Sequence, residues 1–477
     1  MIADLKPYPE YKESGLPWLG QVPRHWSTRV LKRLCSRSAL YGANIPASDY
    51  VSAGVRFLRT TDITDEGTLR RGGVFVAEAA AHDYMLTDGD LLVSRSGTIG
   101  RSLRYRAEVH GPCAYAGYLV RFVPAPIASA DYLFHFTKSL AFADFIRVSA
   151  VSSTIENVNG EKYANMPVTL PPPDEQAAIV RFLDWANARL ERAIRAKRKV
   201  IALLNEQKQA IIHRAVTRGL DPSVPLKPSG IPWLGEIPQH WEVRRLKSVA
   251  SRIVDCLHAT PRYSDSGNYP TIRTADISPG VVHVARAKRI SSTDYVRWTA
   301  RLEPGEGDIL YSREGERFGI AACVPPGVRL CISQRMMVFR IGEDDCADFV
   351  MRLLNSQSTY GQALQDVMGA TAPHVNISTI RNYFLALPKK QEQEAIVLHI
   401  KSETSPIDIA ISRLEREIEL LREYRTRLVA DVVTGKLDVR EAAARLPDEV
   451  EEPIFVAAGD ELSGEMEGLA EADEASD

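Results

Sequence analysis

Apolar residues recur along two long stretches of this chain at alternating steps of four and three. In the first they fall at Leu190, Ile194, Ile201, Leu204 and Ile211. In the second they fall at Ile407, Ile411, Leu414, Ile418, Leu421, Leu428 and Val432. Lys197, Lys208, Ala215 and Arg425 complete the two stripes. A mean step of about 3.5 residues is the coiled-coil period, so two long helices are expected to bury their stripes on each other. Equivalent positions keep a constant offset: Asp408 with Glu191 and Arg425 with Lys208 are each 217 apart. Basic residues at one seam position suit an antiparallel pairing, in which equivalent positions do not meet. Pro406 has no amide hydrogen and pushes Ser405 out of the helical region. The second stretch is therefore expected to be a short piece, a turn and a helix of about 28 residues, roughly 42 Å long.

The repeat is wider than the helices. SGLPWLGQVPRHWSTRVLKRL (Ser14 to Leu34) recurs as SGIPWLGEIPQHWEVRRLKSV (Ser229 to Val249), with 12 of 21 positions identical. Short β-branched and aromatic runs follow in each copy, broken by Gly, Pro and Asp: RFLRTTDIT and PTIRTADIS, then DGDLLVSRSG and GEGDILYSREG, then YLVRFVP and MMVFRI. They predict a small twisted sheet with decorated loops. One amphipathic helix is expected next in each copy, DYLFHFTKSLAFADFI and ADFVMRLLNSQSTYGQAL, then a loop and a final strand leading into the long helix. The fold class is α+β, with two pseudo-repeated domains and two long antiparallel coiled-coil helices between them. The expected divisions are a first domain at 1–171, a central helix at 172–217, a linker at 218–228, a second domain at 229–388, a C-terminal helix at 389–438 and an acidic disordered tail at 439–477.

Charge sharpens this. The formal net charge is −2, but residues from Pro447 on hold twelve acidic groups and no Lys or Arg. That leaves 59 basic against 49 acidic residues in the body, an excess compatible with a phosphate-facing surface. No run of eighteen apolar residues exists, so no transmembrane helix is expected, and the N-terminus lacks the apolar stretch of a signal peptide. Six scattered cysteines without C-x-x-C read as reduced cytoplasmic thiols, with neither disulfide framework nor zinc site.

Catalytic patterns are missing. There is no phosphate-binding G-x-x-x-x-G-K-[ST], no H-E-x-x-H and no Asn- or Asp-Pro-Pro-aromatic element, and no cofactor or metal is expected. Recognition fits better. Arg reads guanine bidentately, Asn or Gln reads adenine, and acidic groups accept from cytosine. The candidate DNA-contacting residues on glycine-bounded loops are Arg59, Thr61, Arg95, Ser96, Thr98 and Asn157 in copy one. In copy two they are Arg273, Thr274, Arg313, Glu314, Gln334, His374 and Asn376. GTIG (Gly97 to Gly100) reads as a tight turn, and His25 and His240 as satisfied partners inside the P-x-H-W packing.

Taken together, the paired SGxPWLGxxPxHW segments, the TAPHVN loop (Thr371 to Asn376), LPPPDEQ and LPKKQEQ before the helices, and the VVTGKLDVR ending resemble the specificity subunit of Type I restriction–modification enzymes. The first copy carries STIENVNG where the second has TAPHVN. The resemblance implies two target-recognition domains, each reading half of a split double-stranded DNA site, held apart by paired helices. It implies a non-catalytic chain that binds two modification (methyltransferase) subunits and, for cleavage, restriction subunits. Two other readings stand beside it: a specificity subunit whose partner fuses methyltransferase and nuclease, and a coiled-coil scaffold that never touches DNA.

Overall fold

The computed structural model describes residues 5–16, 18–150, 157–367 and 373–447. Among these, one compact unit takes the residues up to Arg198 and those from Glu415 on, and the other takes Lys199–Leu414. Each unit therefore holds a part of both long helices.

The first unit centres on a four-stranded antiparallel sheet, in the order Cys35–Tyr41, Leu119–Pro124, Leu91–Ser94, Ser102–Arg104. The centre strand Leu91–Ser94 is buried throughout, as its unbroken apolar run suggests. Side chains alternate across a strand, so Leu91 and Val93 enter the main core while Leu92 enters a second core on the opposite face. A three-stranded sheet follows, Val74–Val76, Val55–Leu58, Cys113–Tyr115, whose last pair is parallel. The second unit repeats both sheets: Ala250–Asp255, Met336–Ile341, Ile309–Ser312, Ala321–Cys323, and Arg289–Ile290, Tyr269–Ile272, Cys331–Ile332. Ile309 and Tyr311 again serve one core and Leu310 the other. Each copy thus has a four-stranded and a three-stranded sheet, besides two-stranded pairs, where the sequence suggests one sheet.

The duplicated P-x-H-W and E-Q motifs belong to one joint. The long helices begin at Pro173 and Lys390. Glu175, in the first turn, accepts from Tyr8 Oη and lies 2.8 Å from His25 Nε2. Glu392 lies 2.8 Å from His240 Nε2 and accepts from Trp241 Nε1 at 3.0 Å. Gln176 and Gln393, both buried, staple the helix start to the domain: Gln176 accepts from Ser129 N and donates to Ile127 and Pro171 carbonyls, and Gln393 accepts from Cys346 N and donates to Pro388 O. A buried amide must satisfy donor and acceptor together, which fixes the angle at which each helix leaves.

The helix ends close the joint. In the first unit Leu428, Val429, Val432 and Val433 of the C-terminal helix enter the main core beside Ile179, Phe182 and Leu183 of the central helix. Tyr132 Oη and Thr169 Oγ1 both donate to Val433 O, at 3.2 and 2.7 Å, which satisfies a carbonyl left over at the helix end. Gly435 stops that helix at φ 78°, and a Cβ there would lie 2.3 Å from Pro23. In the second unit Ala215 and Val216 meet Ile396, Val397 and Ile400.

Seam positions are buried or half-buried along both helices: Leu190, Ile194, Ile407, Ile418, Leu428 and Val432 are buried, and Ile201, Leu204, Ile211, Ile411, Leu414 and Leu421 half-buried. The basic seam residues each find an acid on the other helix. In the first unit Arg425 pairs with Glu191 at 3.2 Å and Lys197 with Glu417, so the segments run antiparallel. In the second unit Lys208 pairs with Asp408.

Four expectations are corrected. The C-terminal helix runs unbroken from Lys390 to Val433 through Pro406. Pro406 and Ser402, whose carbonyl the proline cannot bond, are both on the exposed side of the helix, while Thr404 and Ile407 stay packed. Each amphipathic run is two helices, Ala130–Thr137 then Leu140–Ala150, and Ala347–Leu354 then Gln357–Val367. Ser139 and Ser356 turn the chain there: their hydroxyls donate back to Phe136 O and Leu353 O. The proline-rich stretch after Arg218 forms a strand, Leu226–Pro228, paired with Glu236–Pro238. Order continues past Asp438 as the short helix Arg440–Ala444, because Val439, Ala442 and Ala443 reach the first core. The rest of the acidic tail, from residue 448, lies outside the described residues.

Candidate nucleic-acid interface

In each unit the centre strand ends in a serine, and an arginine follows. The backbone locks that arginine on both sides. Arg95 N donates to Tyr118 O at 3.0 Å, and Arg95 O accepts from Val158 N at 3.1 Å. Arg313 N donates to Arg335 O at 3.1 Å, and Arg313 O accepts from Val375 N at 3.0 Å. The edge strand brings its last residue to the same place: Tyr41, opposite Val120, in the first unit, and Asp255, opposite Met337, in the second.

The side chains on this shared backbone differ. In the first unit the Arg95 guanidinium lies over the Tyr41 ring, 5.1 Å from its centroid, and Tyr41 Oη accepts from Gly160 N at 2.9 Å. Ser96 is half-buried, Thr98 exposed, and the Tyr118 side chain 60% exposed. Asn157 is half-buried, and its Oδ1 has no hydrogen-bond partner among the described residues. In the second unit Arg313 is buried, with Nε 3.3 Å from Asp255 Oδ1 and Nη2 2.7 Å from Glu314 Oε1. Glu314 and His374 form an isolated β-bridge, with His374 Nδ1 3.1 Å from the same Glu314 oxygen. His258 Nε2 lies 2.9 Å from Asp255 Oδ2.

The R-x-x-D turns lie beside these clusters. A Cβ on Gly97 would stand 4.0 Å from Thr60 Oγ1, and Arg317 donates to Thr274 O and Ile277 O at 3.2 and 2.6 Å. Arg59 itself is turned inward: Nε and Nη2 donate to Asp62 at 3.1 and 3.0 Å, and those bonds hold its guanidinium above its ordinary pKa. Arg273 repeats the fork on Asp276. Thr61 is exposed and Thr274 buried. Asn376 caps the helix Ile377–Arg381 and donates to Asp366 from its backbone and side-chain nitrogens. Burial alone would raise the Asp366 carboxyl, but those bonds bring it below its usual value. Gln334 is half-buried beside Arg335.

The structure therefore gathers Arg95, Ser96, Thr98 and Asn157 in one unit, and Arg313, Glu314 and His374 in the other, while Arg59, Arg273 and Asn376 hold their own turns. Thr154, Ile155 and Glu156 of one candidate loop, and Thr371 and Ala372 of the other, lie outside the described residues. Sequence reasoning missed Tyr41, Tyr118, Asp255, His258 and Arg335. The only usable signal was their register in the repeat, Tyr41 and Asp255 each closing an edge strand.

Among the described residues, Asp255, Cys256 and His258 are the one group with ligand atoms close enough to hold a metal, within 4.8 Å of one another. The Arg313 guanidinium against Asp255 opposes a second cation there, and burial pushes the Cys256 thiol up, away from the thiolate a metal needs. No helix among the described residues is long and apolar enough to cross a membrane.

The sequence profile of the family described as Type I restriction modification DNA specificity domain matches residues 52–198 and 238–420. The chain is similar to the Type I restriction enzyme MjaIX specificity subunit of Methanocaldococcus jannaschii, 21% identical over 91% of this chain and 97% of that one. It is similar to the EcoKI specificity subunit of Escherichia coli, 20% identical over 73% and 75%. Its fold matches a solved chain from work on complex assembly and conformational transition of the type I R-M system, with TM-score 0.62, 16% identity and 87% of this chain covered.

Proposed function

The chain belongs to the family of Type I restriction–modification DNA specificity domains, and from that premise we propose that each unit reads one half of a bipartite, asymmetric DNA site through the residues around Arg95 and Arg313. The chain is a sequence-specific DNA-recognition subunit, non-catalytic, working with modification and restriction subunits. The observation that carries the half-site reading is the pair of equivalent arginines on identical backbone hydrogen bonds with different neighbours. A common frame with unlike side chains selects two unlike half-sites. The paired helices set the gap between the halves. Two methyltransferase subunits serve one chain, one for each half, and the assembly works in the cytoplasm.

Methylation mapping in cells expressing this chain with its modification partner tests the reading. The expected result is a split motif with a modified base in each half. A heptad added to both helices lengthens the spacer and leaves both half-sites as they were. A scaffold that never meets DNA would give no motif at all.

A further inference from the structure

Tyr41 and Asp255 end equivalent edge strands, and each meets the arginine that ends the neighbouring centre strand. We propose that this one position decides what the arginine offers to DNA: beside Tyr41, Arg95 reads a guanine, and beside Asp255, Arg313 is a positioning residue that presents Glu314 to the amino group of a base. The inference rests on the DNA-reading role proposed above and adds the kind of base edge each half-site carries.

Stacking orients a guanidinium plane without consuming its N–H donors. Arg95 is held this way, half-buried over Tyr41. Among the described residues, its neighbours Ser96 and Asn157 are neutral. A planar donor fork matches guanine O6 and N7 in the major groove. Tyr118, exposed at the adjoining turn, gives a ring that can lie on the sugar–phosphate or the base beside it.

Arg313 is in the opposite state. A buried guanidinium needs paired charge, and Asp255 and Glu314 supply it from two sides. Its Nε and Nη2 face those two carboxylates. Outward lie the Glu314 carboxylate, 21% exposed, and the His374 and His258 rings, 47% and 62% exposed. A carboxylate accepts, so it favours a base that presents an amino group there, cytosine N4 being the common partner. Asp255 thus converts a donor site into an acceptor site without moving the backbone.

The test is selection of bound sequences from randomised duplex DNA by the full complex of this chain with its modification subunits. The wild type is expected to prefer guanine at one position of one half-site. Tyr41→Asp draws the Arg95 fork inward and lowers that preference at least about tenfold, while the other half-site is selected as before. The conservative Tyr41→Phe, which keeps the ring, restores it. Asp255→Asn, nearly isosteric, alters preference at one position of the second half only. The unaffected half in each complex reports that the chain is folded. If Tyr41→Asp selects the wild-type motif, or weakens all sequences alike, the inference is overturned while the half-site reading stands. If the wild-type complex selects no split motif, the half-site reading falls, and the inference with it.

Discussion

Lys138 and Asn355 occupy the same place in the two units, the residue just after the first of two short helices. Lys138 Nζ donates to Ser102 O at 3.2 Å and to Asp65 O at 2.9 Å. Asn355 Nδ2 donates at 2.8 Å to Ala321 O, the carbonyl equivalent to that of Ser102. One unit uses a charged chain and the other a neutral amide to hold the same strand. The arginine clusters reverse the assignment, with a neutral ring beside Arg95 and carboxylates beside Arg313. The joint at the start of the long helices shows a third exchange. Trp241 Nε1 donates to Glu392, whereas Trp26 Nε1 has no partner among the described residues and Tyr8 takes the Glu175 oxygen instead. Backbone geometry is what the repeat preserves, and side chains are replaced around it.

The difference is largest at the arginines. Arg313→Ala removes a buried cation from between the half-buried Asp255 and Glu314 and is expected to cost the second unit about 1.5–3 kcal/mol. Arg95→Ala removes a stacking contact worth about 0.5–1 kcal/mol. Denaturant-dependent hydrogen exchange at the Leu310 and Leu92 amides reads each unit separately. Equal losses would break the comparison. Next come the tryptophans. Both Trp→Phe changes lose similar volume, but Trp241→Phe also removes a bond to a carboxylate, expected to add about 1.5–3 kcal/mol. The same exchange measurement, or calorimetry of each variant, gives the gap.

Lys138 adds a pH dependence that belongs to the first unit alone. Burial pushes its ammonium down to about 7 from the ordinary 10.5, outweighing Glu66 and Asp65 nearby. Between those values the unfolded chain binds more protons than the folded one, so stability rises with pH across that window. The rise is expected at the first unit's amides, absent at the second's, and abolished by Lys138→Met. The smallest effects are on the helices. Lys197→Ala and Lys208→Ala each break a partly exposed pair and are expected to cost about 0.2–1 kcal/mol, equally in both units and less at high salt.

How far this was legible depends on distance along the chain. The helices and the duplication were plain, because seam periodicity and the P-x-H-W segment are local patterns. The R-x-x-D turns are local patterns too, and Asp62 and Asp276, three residues on, anchor their arginines. Tyr41 and Asp255 were out of reach, since each meets its arginine across more than fifty residues of chain, and only strand pairing brings them together. Pro406 misled because helix propensity is a local rule and an exposed carbonyl can turn to water.

The central claim is that two equivalent arginine clusters read two different halves of one DNA site. Sequence selection with the Arg95→Ala chain in its full complex tests it most directly. Loss of preference at one position of one half, with the other half and the spacer unchanged, is the predicted result. Unchanged selection, or a loss spread over both halves, would contradict it.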